Sequence, residues 1–206
     1  MSCCILIAGM PASGKTTFAA SLSKALDLPM VSKDRIKELM YDHIGYTTHA
    51  EKVKLSTAAT GVLYYFAESL MRTGRPFILE NNFENVTKPG LQRLLEEYRY
   101  RPVTVRFGGD VRVIYERYLA REQTAGRHGG HRASNAWPPQ NAGVLAVPLT
   151  MEDFVAGVAQ RGIAEFTVGG EEILVDAADF TRVSYEDITA QVRRLLGRYT
   201  GPPEIR

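Results

Sequence analysis

Cysteine is scarce in this sequence: two occur among 206 residues, and they are the neighbours Cys3 and Cys4. Adjacent cysteines cannot form the framework of disulfides that stabilises small secreted domains. They suit a reducing compartment, where a free cysteine packs as a small apolar side chain. The sequence therefore predicts a cytoplasmic protein whose stability comes from a hydrophobic core.

Long hydrophobic runs are also missing. No stretch approaches the roughly 18 apolar residues of a membrane-spanning helix. The first residues have neither the basic nor the apolar segment of a secretory signal. We therefore expect no membrane partner. Hydrophobic residues make up 45% and charged residues 23% of the chain, which is ordinary for a globular protein and excludes collagen-like, coiled-coil and wholly disordered classes.

Neither sign of charge dominates, since 25 Lys and Arg face 23 Asp and Glu for a formal net charge of +2. This balance does not require a nucleic-acid partner. The distribution is less even, because seven arginines lie between positions 101 and 132 against three acidic residues. This basic stretch is either a solvated helix face or a surface that binds an anion.

Apolar runs alternate with helical spacings along the chain. The predicted strands are 3–8, 29–32, 77–80 and 103–107, with 165–168 and 172–175 expected as a hairpin or an edge pair. The predicted helices are 15–26, 34–40, 48–74, 87–98, 111–123, one from 150 onward and 184–196. This alternation predicts an α/β fold with a mainly parallel sheet and helices on both faces. We expect one domain over 1–199 and a flexible tail at 200–206.

Residues 126–148 break this rhythm, because glycine and proline recur there with polar residues between them. Loops of about twenty residues are uncommon inside compact domains unless they are functional. We therefore expect a mobile lid inserted into the single domain. No cysteine or close carboxylate accompanies His128 and His131 in the sequence, which disfavours a zinc site.

One motif carries specific chemistry. Residues 9–16 match the phosphate-binding pattern G-x-x-x-x-G-K-[ST], between a buried strand and a helix. Its glycines let the backbone approach a phosphate, and its N–H groups and the helix N-terminus attract one. Lys15 adds a positive charge for the β- and γ-phosphates, and Thr16 offers a hydroxyl to Mg²⁺. The residues predicted to bind the nucleotide are Gly9, Pro11, Ala12, Ser13, Gly14, Lys15, Thr16 and Thr17.

An acidic residue flanked by cations follows the second strand. Asp34 lies where residues of a doubly wound sheet face the ligand crevice. Its carboxylate can accept a proton from an attacking hydroxyl; alternatively, Ser32 or Asp34 only caps the next helix. The flanking cations that could hold an anionic acceptor are Lys33, Arg35 and Lys37.

Two further groups extend this candidate site. Glu80 ends the third strand, where it could act on Mg²⁺ through water or simply face solvent. Arg117 and Arg121 are four residues apart and so share a helix face, which we expect to point towards the lid. Arg127 follows inside the lid. Arginines on a lid can neutralise charge on a transferring phosphoryl group, although a solvated basic face is the alternative.

Together these motifs resemble the small P-loop kinases. More narrowly, the chain is similar to the predicted ATP-binding kinases grouped near the zeta toxins and the polynucleotide 5′-hydroxyl kinase domain. The resemblance spans about residues 3–135 and is carried by 9–17, 32–37, 80–83, 117–121 and 127–131. This sequence departs from the pattern at Glu80, where many relatives have aspartate.

The resemblance implies a five-stranded parallel sheet in the order 2-3-1-4-5 with a lid, and ATP and Mg²⁺ as cofactors. It also implies that Asp34 is the general base and that Arg121 and Arg127 lie at the transferring phosphate. We therefore predict a phosphotransferase that moves the γ-phosphoryl group of ATP to a hydroxyl of a small molecule, such as a sugar, nucleoside or antibiotic.

Two alternatives stay open at this stage. In a polynucleotide or nucleotide kinase, Lys33, Arg35 and Lys37 would bind acceptor phosphate. In a non-catalytic switch, nucleotide would control assembly. The nearly neutral net charge and the lack of an aromatic platform in the basic stretch favour the small acceptor over a nucleic acid.

Overall fold

A computed structural model of the protein describes residues 2–124, 126–132, 136–139 and 147–199. Its strands are β1 (Cys3–Gly9), β2 (Met30–Ser32), β3 (Phe77–Glu80), β4 (Arg101–Gly108) and β5 (Glu171–Asp176). Its helices are α1 (Lys15–Leu26), α2 (Lys33–His43), α3 (His49–Met71), α4 (Lys88–Glu97), α5 (Val111–Glu122), α6 (Gly129–Arg132), α7 (Met151–Gln160) and α8 (Tyr185–Tyr199). Short 3₁₀ turns cover Asn85–Thr87 and Phe180–Arg182.

All five strands run parallel in one sheet, in the order β2-β3-β1-β4-β5. This confirms the predicted fold class and strand order. The central strand β1 pairs on both sides, with Ile5 opposite Ile78 of β3 and Val103 of β4. Because the strands are parallel, the residues that follow β1, β2 and β3 come together at one edge of the sheet.

The sheet has a hydrophobic core on each face. Cys4, Leu6 and Ala8 of β1 pack on the side of α3 and α4. Ile5 and Ile7 point the other way, to the side of α1 and α8. Burial on both faces explains why β1 is an unbroken apolar run rather than an alternating one.

The predicted hairpin at 165–175 is wrong. Only β5 forms, and it pairs parallel to β4 at the edge of the sheet. Phe166 is instead buried in the core, where its ring stacks on Phe83 with 5.1 Å between centroids. The alternating pattern of residues 172–175 reflects an edge strand with one exposed face, and it cannot by itself specify the direction of the neighbouring strand.

Side-chain hydroxyls cap the N-termini of three helices. Thr48, Thr150 and Ser184 each accept a hydrogen bond from the backbone N–H three residues later, at 3.2, 3.1 and 3.1 Å. These bonds satisfy N–H groups that have no partner within the helix. Other element boundaries agree with the predicted ones to within a few residues.

The proposed lid is described in part. Of residues 126–148, the structure describes 126–132, which includes α6, together with 136–139 and 147–148. Trp137 and Tyr46 exchange two backbone hydrogen bonds, at 2.9 and 2.8 Å. The mobility of the lid stays a prediction, and the tail at 200–206 lies outside the described residues. None of the helices in the described ranges combines the length and hydropathy needed to cross a membrane.

Candidate active site

The loop between β1 and α1 has the backbone shape that its glycines predict. Gly9 and Gly14 have φ of +124° and +88°, in the region that favours glycine. A Cβ at Gly9 would lie 1.9 Å from the carbonyl oxygen of Phe107, so no other residue fits there. The N-terminus of α1 follows directly, and its first N–H groups have no partner within the helix. The loop and this helix end therefore form a site suited to an anion.

Lys15 lies inside this loop. Its side chain is 5% exposed, and its Nζ donates to the carbonyl oxygen of Met10 at 2.5 Å. Burial lowers the pKa of Lys15 to about 8, although Glu80 and Asp34 oppose this effect. The charge of the lysine is thus partly lost near pH 8 in the absence of an anionic ligand.

This lowered pKa predicts proton uptake when nucleotide binds. At pH 8 about half of the Lys15 side chains carry a proton, and a bound triphosphate favours the charged form. We therefore expect uptake of about 0.5 proton per ATP at pH 8 and much less at pH 6.5, where the lysine is already charged. Calorimetry in buffers of different ionisation enthalpy measures this.

Lys52 provides the control, because burial also lowers its pKa to about 8. The Lys52→Met variant should keep the uptake. Its disappearance in that variant, or an uptake that does not change with pH, would contradict the assignment to Lys15.

Glu80 connects three elements at the carboxyl edge of the sheet. It is 4% exposed, and its two carboxylate oxygens accept hydrogen bonds from Thr16 Oγ1 at 3.1 Å and from Ser32 Oγ at 2.6 Å. Burial raises its pKa, while Lys15 and the two hydroxyls act in the opposite direction. The alternative that Glu80 faces solvent is therefore wrong. Ser32 also makes no side-chain capping bond to α2, because its hydroxyl is directed at Glu80.

The oxygens of Thr16 and Glu80 are the kind that Mg²⁺ prefers. Thr16 is exposed at the start of α1, and Glu80 sits directly behind it. Hydroxyl and carboxylate donors at this position fit a magnesium ion that is also bound to phosphates. Among the described residues, no group of three or more His, Cys, Asp or Glu side chains is arranged to hold a metal by itself.

Asp34 occupies the first turn of α2, on the same edge of the sheet. Its side chain is 48% exposed, and Lys37 Nζ lies 3.3 Å from its Oδ1. Burial alone would raise the pKa of Asp34, but Lys37, His131 and Arg127 outweigh it and hold the pKa well below its usual range. Asp34 is therefore an accessible, ionised carboxylate within the electrostatic reach of Lys15.

Arg121 and Arg127 meet at Glu122. Their guanidinium nitrogens lie 3.6 and 3.2 Å from its Oε1. Burial and the neighbouring Arg127 lower the pKa of Arg121, and the charge of Arg121 also acts on Lys15. The structure thus brings the two predicted lid arginines to the region of the phosphate loop and Asp34.

Arg117 does not share the environment of Arg121. It donates hydrogen bonds to the carbonyl oxygens of Ala177 and Ala178, and its guanidinium lies 3.9 Å from the ring centroid of Phe180. The expectation that both arginines point towards the lid is therefore wrong for Arg117. The ring of Phe180 also lies about 3.1 Å from the place where a Cβ of Gly14 would be, beside the phosphate loop.

The three predicted acceptor-binding cations lie in different surroundings. Arg35 is the most exposed, at 67% of its side chain, and pairs with Glu38 at 3.3 Å. Lys37 pairs with Asp34, as described above. Lys33 is buried and makes no hydrogen bond or ion pair with any described residue. Of the three, Lys33 and Lys37 are placed to act near Asp34.

The lid docks on α2 through pairs that the sequence did not indicate. His128 Nε2 lies 3.0 Å from Asp42 Oδ1, and His131 Nε2 lies 3.3 Å from Glu38 Oε1. Tyr46 adds a hydrogen bond from its hydroxyl to the carbonyl oxygen of Gly130, at 2.6 Å. Each histidine thus has a carboxylate neighbour after all, although these carboxylates are about 90 positions away in the chain.

Comparisons with known proteins agree with this fold. The sequence matches the family model described as "AAA domain" over residues 4–136, whereas a search of curated proteins finds no match. A candidate kinase from Chloroflexus aurantiacus is similar in structure, with 26% identity, a TM-score of 0.75, and coverage of 96% of this chain and 97% of that one.

Two more distant structures share the fold. A gluconokinase from Sinorhizobium meliloti has 14% identity and a TM-score of 0.56, over 96% of this chain and 95% of its own. Kti12 from Chaetomium thermophilum, solved in complex with ADP-AlF₃, has 18% identity and a TM-score of 0.57, over 94% and 98%. The narrower likeness to zeta toxins and to polynucleotide kinases stays a prediction.

The family match includes the phosphate loop, Asp34, Glu80 and both lid arginines, and β5 with helices α7 and α8 completes a fold shared with P-loop kinases. The chain therefore belongs to the AAA domain family and has the nucleotide-binding fold of the P-loop kinases.

Proposed function

We propose that this protein is an ATP-dependent phosphotransferase whose acceptor is a hydroxyl group of a small molecule. The observation that carries the proposal is the position of Asp34. An accessible, ionised carboxylate lies at the same sheet edge as the phosphate loop and within the electrostatic reach of Lys15. A protein that only binds nucleotide has no need of a proton acceptor at that point.

The proposed reaction uses the described residues as follows. The loop N–H groups and Lys15 hold the β- and γ-phosphates of ATP. Thr16 and Glu80 would hold Mg²⁺, which neutralises phosphate charge when bound. The acceptor hydroxyl attacks the γ-phosphorus, the bond to the ADP oxygen breaks, and the hydroxyl proton passes to Asp34. Arg121 and Arg127 stabilise the charge on the transferring group.

The nucleotide base also has a candidate surface. Phe180 is 42% exposed, carries Arg117 on one face and borders the phosphate loop at Gly14. Aromatic rings and guanidinium planes both stack on flat heterocycles. We assign this pair to the base of the bound nucleotide.

Two structures that share this fold support different functions. The gluconokinase supports a small hydroxyl-bearing acceptor. Kti12, solved with ADP-AlF₃, supports a second candidate, a switch whose lid position on α2 follows nucleotide state. Only phosphoryl transfer to a small molecule explains why Asp34 is an accessible, ionised carboxylate at the same sheet edge as the phosphate loop.

The test is transfer of labelled phosphate from γ-labelled ATP to a panel of sugars, sugar acids, nucleosides, aminoglycosides and 5′-hydroxyl oligonucleotides. We expect label on at least one small molecule, with ADP formed in equal amount. Slow hydrolysis that no acceptor stimulates would favour the switch. Labelling of oligonucleotides alone, weakening steeply as salt rises, would favour a polynucleotide kinase.

A further inference from the structure

Lys33 is a buried cation without a partner. It is the first residue of α2, and only 9% of its surface is exposed. It makes no hydrogen bond and no ion pair with any described residue, and burial lowers its pKa, with Lys37 adding to the effect. Partial removal of an ammonium group from water is unfavourable unless an anion compensates it. This arrangement is explained if a ligand supplies that anion.

The other charged groups around Lys33 do not compensate it. Those that act on it are Lys37, Glu84, Asp34 and Arg161. Asp34 already pairs with Lys37 at 3.3 Å, and Glu84 already pairs with Arg161 at 3.4 Å. Three cations thus face two carboxylates, and Lys33 is the cation left over.

Arg161, one of the charged groups that act on Lys33, is held in place by backbone contacts. Arg161 follows α7 directly, and its carbonyl oxygen accepts a hydrogen bond from the N–H of Asn85 at 2.9 Å. Gly162 has a φ of +64°, and a Cβ there would lie 2.1 Å from Asn85 Nδ2. The segment after β3 and the end of α7 therefore approach each other closely, which fixes Arg161 near Glu84.

We propose that Lys33 and Arg161 form a subsite for an anionic group, a carboxylate or a phosphate, on the acceptor molecule. The inference rests on the proposed function, because it places this anion beside Asp34, the group that receives the hydroxyl proton. Since the charge of Asp34 acts on Lys33, we place the anionic group and the reacting hydroxyl on one small molecule. The substrate class is then a hydroxy acid or a phosphorylated hydroxy compound. A neutral sugar or nucleoside does not fit.

The first experiment compares matched acceptors that differ only in charge. One set is glycerol, glycerate and glycerol 3-phosphate, and another is glucose, gluconate and glucose 6-phosphate. We expect labelled phosphate on an anionic member of a set and none on its neutral member. The carboxylate and phosphate members separate the two sources of negative charge. Neutral members that react as well as anionic ones would overturn the inference while leaving the proposed function intact.

The Lys33→Met variant tests the residue itself, since methionine keeps the length and apolar stem of lysine. Loss of one charge-assisted contact should raise the KM for the anionic acceptor about 10- to 100-fold, with ATP affinity unchanged. Lys24→Met is the matched control, because Lys24 is an exposed lysine in the last turn of α1. Its KM should not change. Equal effects in both variants would indicate a general loss of positive potential and would contradict a built subsite.

A binding measurement keeps the inference testable even if no acceptor in the panel reacts. Lysine methyl signals, labelled by reductive ¹³C-methylation, are followed by NMR during titration with gluconate and with inorganic phosphate. ADP is present to occupy the phosphate loop. We expect a signal that is missing from Lys33→Met to shift with one of the anions and to stay still with glucose. A response without any transfer would support the subsite and count against the kinase proposal; no response to either anion would overturn the subsite.

Discussion

Replacing Asp34 with asparagine should leave ATP binding intact and slow phosphoryl transfer about 10²- to 10⁴-fold, the usual contribution of a positioned base. Asparagine keeps the shape of the side chain but cannot take the proton of the acceptor hydroxyl. Single-turnover transfer from labelled ATP measures the chemical step, and calorimetry measures the affinity for ATP.

The same variant tests the helix-cap interpretation. Ser32 makes no capping bond to α2, and Asp34 only adds a negative charge to the first turn. Losing that charge should cost about 0.3–1 kcal/mol of stability. Asp27→Asn is a suitable control, because Asp27 is exposed with a φ of +52°, a conformation that asparagine also adopts. Normal transfer combined with an earlier melting transition in Asp34→Asn would show that Asp34 is structural.

Replacing Lys15 with methionine should weaken the binding of ATP·Mg²⁺ by on the order of 10²-fold, because a charge-assisted contact to the phosphates is lost. The fold should survive. Burial lowers the pKa of Lys15 to about 8, so its protonated form is disfavoured in the folded protein. Removing it relieves a cost that sets in as the pH falls below the ordinary lysine pKa of 10.5 and is complete below pH 8, so the melting temperature should stay equal or rise.

Lys24→Met serves as the control for this second experiment, since Lys24 is exposed in the last turn of the same helix. It should leave ATP affinity unchanged, and the loss of a cation from the last turn should cost no more than about 1 kcal/mol of stability. A folded Lys15→Met protein with the affinity of the wild type would remove the phosphate-loop assignment altogether, and with it the proposed function.

The three variants test separate steps of the proposed function. The Lys15 variant probes nucleotide binding, which the fold supports independently of any reaction. The Asp34 variant probes transfer, and the Lys33 variant probes the chemical class of the acceptor. Loss of nucleotide binding in Lys15→Met, together with normal hydrolysis in Asp34→Asn, would describe a nucleotide-dependent switch rather than a kinase.

The sequence alone was sufficient for the elements of the fold and for the phosphate loop. The apolar run of β1, the caps at Thr48 and Thr150, and the glycines at 9 and 14 act over a few residues, through backbone sterics, local hydrogen bonds and burial of a periodic face. Such short-range effects are visible in sequence. They placed nearly every helix and strand within a few positions, and the family resemblance supplied the strand order.

Only the tertiary structure decided which distant side chains meet. Ser32 and Glu80 are 48 positions apart, and Arg117 reaches Phe180 across 63 positions. Glu84 and Arg161, whose charges act on Lys33, are 77 positions apart. These contacts arise because parallel strands joined by crossover helices bring their carboxyl ends to one edge of the sheet. The charge pattern of the sequence predicted the same acceptor-binding role for Lys33, Arg35 and Lys37. In the folded protein Arg35 and Lys37 pair with carboxylates, whereas Lys33 is buried and has no hydrogen-bond or ion-pair partner among the described residues.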